Sequence, residues 1–542
     1  MRAPRDVFTF FDPASKVWSG LGVPSLFNPN QSLGELVLTV LERNSNKVVQ
    51  ICADTGSRTT GSELRIRAIR IASNLQQMGY GSNVGEIFSM AVKNGEHTAS
   101  VLFACFALGI PVNTLDPSFR RDDLSHMLAN VRPNVVFCET ETLQELLSAC
   151  DLVAHKPRII VMGDKVAGFE HVEDLLIPSD GENYFVPVHI SDPSKQLAVL
   201  LCSSGTTGRS KAVSLSHSIC IAHVTNFFDC RPNDTVFAFS SLYWLSGLVM
   251  LLAGTVWGAT RVVTCKTFSP SLAVDIVERL RVSVVFFPPS QALAIANDPS
   301  VKESQFESVR LAFCGGGPVS VSLRNSFNRL IPGRLLEIAY GLTEIGGAVT
   351  FTKEAFGQNG SVGFARPGME VKILDDHSTT LDNGMEGEIV VRAPYIFLGY
   401  YGNAAATEDI LDDEGWLHTG DIGRFDENGW LYVVDRKKDI LKYGNFQIAP
   451  SEIEDVIQGV AGVKAVCVVG IPSEGNDLPA ALVVPSDSGC SQKDIIIEVE
   501  RKLGSYKQLR GGVYMTTKLP MTPSGKVLRR EAKLMVLKMK GD

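Results

Sequence analysis

Leu200-Leu201-Cys202-Ser203-Ser204-Gly205-Thr206-Thr207-Gly208-Arg209-Ser210-Lys211-Ala212-Val213 decides how the rest of the chain is read. An apolar run, residues 197–202, leads into a stretch of Ser, Thr, Gly and Arg that ends in Lys211. This is the pattern of a buried strand running into a phosphate loop. Two close glycines let successive backbone N–H groups converge without Cβ interference, and such a nest attracts anions. Hydroxyls and a lysine add donors and charge. The spacing Gly205, Gly208, Lys211 is not that of a Walker A loop, whose lysine directly follows its second glycine. Ser203, Ser204, Gly205, Thr206, Thr207, Gly208 and Lys211 therefore read as a polyphosphate cradle of another kind, with an ordinary polar surface loop as the alternative.

At 542 residues the chain is too long for one hydrophobic core, and its 45% hydrophobic and 20% charged residues are an ordinary soluble composition. The formal charge of −8 comes without any long run of one sign, so nucleic acid is not an expected partner. Eleven cysteines lie scattered, several within apolar runs, which points to a reducing compartment and no disulfide framework. The charged start has no signal-peptide pattern, the end Met539-Lys540-Gly541-Asp542 is not a Ser-Lys-Leu type of address, and cytoplasm is the default expectation. Residues 245–259, the longest weakly polar run, fall short of the roughly 20 needed to span a bilayer and read as a buried core helix.

Helical periodicity alternates with short apolar runs through the first 190 residues: helices near 32–43, 62–78, 98–108 and 121–129, strands near 48–52, 87–92, 112 and 134–138. That alternation predicts a parallel sheet wrapped by helices. It resumes with a helix at 272–280 and strands at 282–287 and 308–313, the last running into Gly315-Gly316-Gly317. Glycine-rich loops at strand ends are where open α/β sheets bind ligands. From 361 to 435 short alternating runs separated by Asp382-Asn383-Gly384 and Glu427-Asn428-Gly429 predict hairpins in a small β-rich subdomain. The expected architecture is α/β: a large N-terminal domain, residues 1–435, of parallel and mixed sheets wrapped by helices, a hinge at 436–439, and a small mobile α+β domain at 440–542.

Four later constellations carry chemistry. Tyr340-Gly341-Leu342-Thr343-Glu344 offers an aromatic face, a hydroxyl and a hard carboxylate oxygen of the kind Mg²⁺ prefers; the bland alternative is a capped turn. His418-Thr419-Gly420-Asp421 places a carboxylate after a turn, suited to ribose hydroxyls or to an Asx-turn. Arg436, Lys437, Lys438 and Lys442 form a basic knot, and Thr522-Pro523-Ser524-Gly525-Lys526 sets a lysine on a glycine-containing loop; each alone reads as solvated surface.

The ordered set SSGTTGRSK, YGLTE, GWLHTGD, DRKKDILKYGNFQIAPSEIE and PMTPSGK resembles the adenylate-forming superfamily of acyl-CoA synthetases, 4-coumarate–CoA ligases and beetle luciferases over nearly the whole chain. The resemblance implies an ATP-dependent carboxylic acid–CoA ligase that forms an acyl-adenylate and then a thioester, with ATP, Mg²⁺ and coenzyme A as its cofactor and co-substrates. It assigns residues 203–211 to the β- and γ-phosphates, Thr343 to the α-phosphate, Glu344 to Mg²⁺, and Tyr340 with Gly341 and Gly315 to Gly317 to the adenine side. Asp421 and Arg436 would hold the ribose, Lys526 would serve adenylation, Lys438 would be the hinge, and Lys442 would serve the second step after rotation of the tail.

Two departures stand out. Tyr443-Gly444-Asn445-Phe446-Gln447 puts Asn445 where the family commonly has glycine, which bears on the coenzyme A tunnel. Trp244 replaces the usual His of luciferases and coumarate ligases, as in short- and medium-chain acyl-CoA synthetases, and with Ser246, Met250 and Ala348 it is expected to line the acyl pocket. A fatty or similarly apolar acid is the expected substrate. An aryl acid or luciferase-like adenylation is the alternative, and a non-catalytic nucleotide binder the remote one. Monomer or weak oligomer is expected.

Overall fold

The computed structural model describes residues 9–22, 27–28, 30–81, 85–203, 210–227, 230–352, 360–443, 446–473, 476–486, 489–522 and 526–541. Two large sheets form the body. The seven-stranded one runs, in order, Lys211–Ser216, Leu197–Ser203, Val112–Leu115, Phe88–Ala91, Val135–Cys138, Arg158–Val161 and Glu170–His171. All its pairs are parallel except the first. The nine-stranded one has a parallel centre, from Leu336–Leu342 through Leu311–Gly315, Val284–Phe287, Thr235–Ala238 and Thr260–Val263 to Val48–Cys52, with antiparallel strands at both edges. Apolar strands alternating with helices thus produce the α/β body expected of them.

The helices between the sheets explain the apolar runs. Thr98–Ala107 is buried at every position, and Leu245–Val256 is buried from Gly247 to Val256, as an interior helix must be when both flanks are protein. Leu33–Arg43 is instead amphipathic and starts at a capping box: Ser32 Oγ accepts the Glu35 N–H while the Glu35 carboxylate accepts the Ser32 N–H. No helix among the described residues is long and apolar enough to cross a membrane. All eleven cysteines are free thiols.

The β-rich layer is a six-stranded antiparallel sheet, and here the sequence reading falls short. Its first two strands, Thr9–Asp12 and Val17–Gly20, come from the start of the chain and dock beside Glu370–Leu374, rather than belonging to the α/β layer. Trp18 anchors this docking. Its ring packs on Phe425, its Nε1 donates to Asn383 Oδ1 at 3.0 Å, and Gly429 leaves room where a Cβ would come within 2.5 Å of the ring.

Among the described residues beyond 440 the strands pair with one another: Leu441–Tyr443 with Phe446–Ile448, and Val463–Ser473 with Asn476–Pro485, which also pairs with Gly512–Met515. Pro450–Gln458 and Gln492–Lys502 cover one face of this three-stranded sheet through Ile453, Ile457, Ile495 and Val499. Arg529–Gly541 covers the other through Ala532 and Val536.

Candidate active site

The phosphate stretch connects two antiparallel strands. Leu197–Ser203 pairs antiparallel with Lys211–Ser216, and Ser203 stands opposite Lys211, so the ladder brings the two ends of the loop together. Ser204, Gly205, Thr206, Thr207 and Gly208 lie outside the described residues. The strand Lys211–Ser216 after the loop was not among the sequence expectations.

Tyr340 and Gly341 lie within the strand Leu336–Leu342, and Thr343 and Glu344 open the 3₁₀ turn Thr343–Ile345, which Gly346 closes at φ +74°. Gly341 is required by its neighbour: a Cβ there would stand 2.2 Å from the Gly347 carbonyl oxygen. Gly315 likewise lets its strand approach Ala339, whose oxygen would be 2.5 Å from a Cβ, while Gly316 turns at φ +84° and Gly317 has only Pro289 within reach.

Asp421 does not follow a turn. It sits mid-strand in Leu417–Phe425, facing inward in strict alternation with Thr419 and Gly423, and is 3% exposed. A carboxylate at a position that alternation assigns to the core needs partners, and it has two. Tyr340 Oη donates to Oδ2 at 2.8 Å, and Arg436 Nε, directly opposite on Leu431–Arg436, reaches Oδ1 at 2.6 Å. Burial pushes the carboxyl pKa up, with Arg436, the Tyr340 hydrogen bond and Lys526 acting against it. Burial, with the Asp421 charge, also raises the Tyr340 phenol well above its ordinary value.

Lys526 comes to the same place. Its N–H donates to Thr522 Oγ1 at 3.0 Å, the Thr522 N–H returns to the Lys526 carbonyl at 2.8 Å, and Met521 bridges Val527. Burial, then Arg436, push its ammonium pKa down, and the carboxylates of Asp421, Asp439 and Glu344 oppose them. Lys438 is depressed to about 8, by burial first and then by Arg436 and Lys526, with Asp439 and Asp421 in opposition. Arg529, on the first turn of the helix after the loop, pairs with Glu454 and reaches Asp439 at 3.8 Å. That links the Lys526 loop to the segment around Lys438.

Lys442 is elsewhere. It is exposed on Leu441–Tyr443, opposite Gln447, with its N–H donating to Asp477 Oδ2 at 3.1 Å. Gly444 and Asn445 lie outside the described residues. Trp244 is half-buried at the start of Leu245–Val256, edge-on to Tyr243 at 4.7 Å. Ser246 Oγ donates to Ser240 Oγ at 2.9 Å, Met250 is buried in the main core, and Ala348 is buried in register with Gly341.

One residue of this region was missed. Tyr400 lies between Lys211 and Glu344, its hydroxyl donating to Glu344 Oε1 at 2.7 Å and its ring under Lys211 Nζ at 4.6 Å. Only its place in Gly399-Tyr400-Tyr401-Gly402, an aromatic pair between glycines, could have drawn notice. Among the described residues no three His, Cys, Asp or Glu side chains gather as a metal site. The chemistry of Glu344, a lone carboxylate with one oxygen engaged by Tyr400, fits a Mg²⁺ that arrives on a nucleotide and takes its other ligands from phosphate and water.

Residues 39–401 match the family model described as AMP-binding enzyme, and residues 452–526 match the AMP-binding enzyme C-terminal domain. The chain is 30% identical over 501 residues to 4-coumarate–CoA ligase 1 of Oryza sativa subsp. japonica, covering 88% of this chain and 87% of that protein. It is 26% identical over 535 residues to probable 4-coumarate–CoA ligase 1 of Dictyostelium discoideum, covering 94% and 96%. The crystal structure of ATP-bound MatB from Rhodopseudomonas palustris superposes with a TM-score of 0.84 at 22% identity, over 94% of this chain and 100% of that one, a likeness of fold.

Proposed function

The chain belongs to the AMP-binding enzyme family as an AMP-forming acid–thiol ligase, and from that premise we propose that it activates an apolar carboxylic acid with ATP and passes it to coenzyme A. The observation that carries this reading is the buried cluster in which Arg436 and Tyr340 both hold Asp421, with Lys526 near enough for the charges of Arg436, Asp421 and Glu344 to act on it.

A free carboxylate resists attack by a thiol because it is anionic and would have to expel oxide. In the proposed first step its oxygen attacks the α-phosphorus of ATP, the bond to the bridging oxygen breaks, and pyrophosphate leaves with the electron pair. Charge grows on phosphoryl oxygens, so catalysis is positioning and electrostatic stabilisation. Lys526 follows that charge between carboxylate and α-phosphate; its depressed affinity for a proton reflects a dry site whose cations await an anionic ligand. Asp421 and Arg436 hold the ribose hydroxyls, Tyr340 and Gly315 to Gly317 frame the adenine, Thr343 meets the α-phosphate, and Lys211 with the phosphate stretch holds the leaving pyrophosphate. Glu344 would hold Mg²⁺, which when bound neutralises phosphate charge.

In the proposed second step the thiol sulfur attacks the acyl carbonyl carbon, AMP leaves, and the thiol proton goes to solvent. The boundaries 1–435, 436–439 and 440–542 are part of the proposal: the tail turns about Lys438, withdraws Lys526 and presents the Lys442–Gln447 face, with Gly444 and Asn445 lining the approach of coenzyme A. Trp244, Ser246, Met250 and Ala348 would wall the acyl pocket; Trp244 in place of the usual His supports a fatty or similar acid, while the other three do not separate it from an aryl acid. Similarity to 4-coumarate–CoA ligases favours an aryl acid as the second reading. Thioester formation across fatty and aryl acids, with acid-dependent pyrophosphate exchange, tests both. A medium- or long-chain fatty acid is expected to give the highest kcat/KM; a hydroxycinnamic acid giving it selects the second reading, and no exchange with any acid contradicts the ligase assignment.

A further inference from the structure

The phosphate hairpin and the Glu344 turn come from different sheets' edges, yet one short segment joins them. Residues 397–401 lie alongside Lys211–Ser216 as an added edge: the Leu398 N–H donates to Ser214 O at 2.8 Å, the Ser214 N–H to Gly399 O at 3.0 Å, and the Tyr401 N–H to Ala212 O at 2.8 Å. At its near end the Phe397 N–H donates to the Glu344 carbonyl at 3.0 Å. The segment is pinned from behind by Thr407, whose Oγ1 accepts the Tyr400 N–H at 2.9 Å and donates to Asn403 O at 3.1 Å. Tyr400 is thereby 9% exposed, its ring edge-on to Phe397 at 5.3 Å.

We propose that Tyr400 is a positioning residue that couples the pyrophosphate lysine to the metal carboxylate, its ring seating Lys211 and its hydroxyl holding Glu344 with one oxygen free. The inference rests on the ligase reading above. A carboxylate free to rotate could chelate a cation through both oxygens or swing away from it. With Oε1 occupied by the phenol, Glu344 offers Oε2 alone, the single ligand that a Mg²⁺ bound chiefly by phosphates and water accepts in its octahedral shell. The face of the same ring attracts the Lys211 ammonium, 4.6 Å from its centroid, and is one of the contacts that seat it. Both groups act on the departing pyrophosphate, and one rigid side chain on a strand-like segment sets their separation.

Two variants separate the arms. Tyr400→Phe keeps the ring beneath Lys211 and against Phe397 and removes only the hydroxyl; Tyr400→Leu removes both. The measurements are Mn²⁺ binding to the full chain with ATP by electron paramagnetic resonance, pyrophosphate exchange as a function of Mg²⁺ and pyrophosphate, and thermal melting. Losing a hydrogen bond to a carboxylate is expected to weaken Mn²⁺ binding about tenfold in Tyr400→Phe, with the KM for pyrophosphate and the melting temperature unchanged. Tyr400→Leu is expected to add a several-fold rise in the KM for pyrophosphate. Wild-type Mn²⁺ affinity in Tyr400→Phe overturns the proposal, and so does a pyrophosphate KM that is the same in both variants. A wild-type chain without acid-dependent exchange overturns the ligase reading itself, and this inference with it.

Discussion

Lys526 and Lys442 belong to the same tail and stand in opposite circumstances. Lys526 is drawn into a site among Arg436, Asp421 and Glu344, on a loop closed by hydrogen bonds at both ends. Lys442 is exposed on a two-stranded ribbon, opposite Gln447. One arrangement of the tail can serve only one of them. The difference teaches that, under the roles proposed for them, the tail would have to present the two lysines in turn, with this arrangement the one for the first step.

The largest expected effect breaks the comparison at its half-buried member, Lys526. Lys526→Ala is predicted to lower acid-dependent pyrophosphate exchange by about 10²–10³-fold, the scale of losing one group that stabilises transition-state charge. Lys442→Ala is predicted to leave exchange near wild type and to slow thioester formation about tenfold or more, read by comparing exchange with thioester yield in one preparation. A smaller effect is expected at the link between loop and hinge. Asp439→Asn removes the charge that Arg529 reaches at 3.8 Å, and exchange should fall only about two- to fivefold, since a partly exposed pair is worth roughly 1 kcal/mol or less.

How far the sequence carries differs in the same way between regions. Helices such as Leu33–Arg43 and strands such as Phe88–Ala91 were legible because their burial is local in pattern, periodic or continuous. The motif order named Lys526, Asp421, Arg436 and Glu344 and, through the resemblance, gave them one nucleotide, but the direct ion pair of Arg436 with Asp421 was not legible, since it forms through the register of two strands. The docking of Thr9–Asp12 and Val17–Gly20 against Glu370–Leu374 was illegible because the partner lies some 350 residues on, and neither segment encodes the other. Asp421 had a readable sign that was overlooked: in Leu417-His418-Thr419-Gly420-Asp421-Ile422-Gly423-Arg424-Phe425 it shares the phase of Leu417 and Phe425, the core face. Tyr400 carried no such sign, because its role depends on a hairpin whose second strand was not recognised.

The last effect is on stability in acid rather than on rate, and it also divides body from tail. All nine histidines precede residue 419, so the tail has none. Burial lowers His217 to about 4 and His223 to about 3. The His217 imidazole is neutral, its Nδ1 accepting the Leu33 N–H at 3.1 Å. A histidine depressed below its ordinary value of 6.5 contributes its stability in full above that pH and loses it as pH falls toward the folded value. Between pH 6.5 and 4 the body should therefore lose up to about 3 kcal/mol through His217, seen as a falling melting temperature. His217→Asn, which keeps an acceptor for Leu33 and cannot charge, should flatten that slope.

The central claim is that Lys526 acts on forming the adenylate and not on consuming it. The direct measurement supplies Lys526→Ala with presynthesised acyl-adenylate and coenzyme A and follows thioester release. The account predicts a rate within a few-fold of wild type, although the same variant barely makes adenylate from ATP. A loss in thioester release as large as the loss in exchange would contradict it.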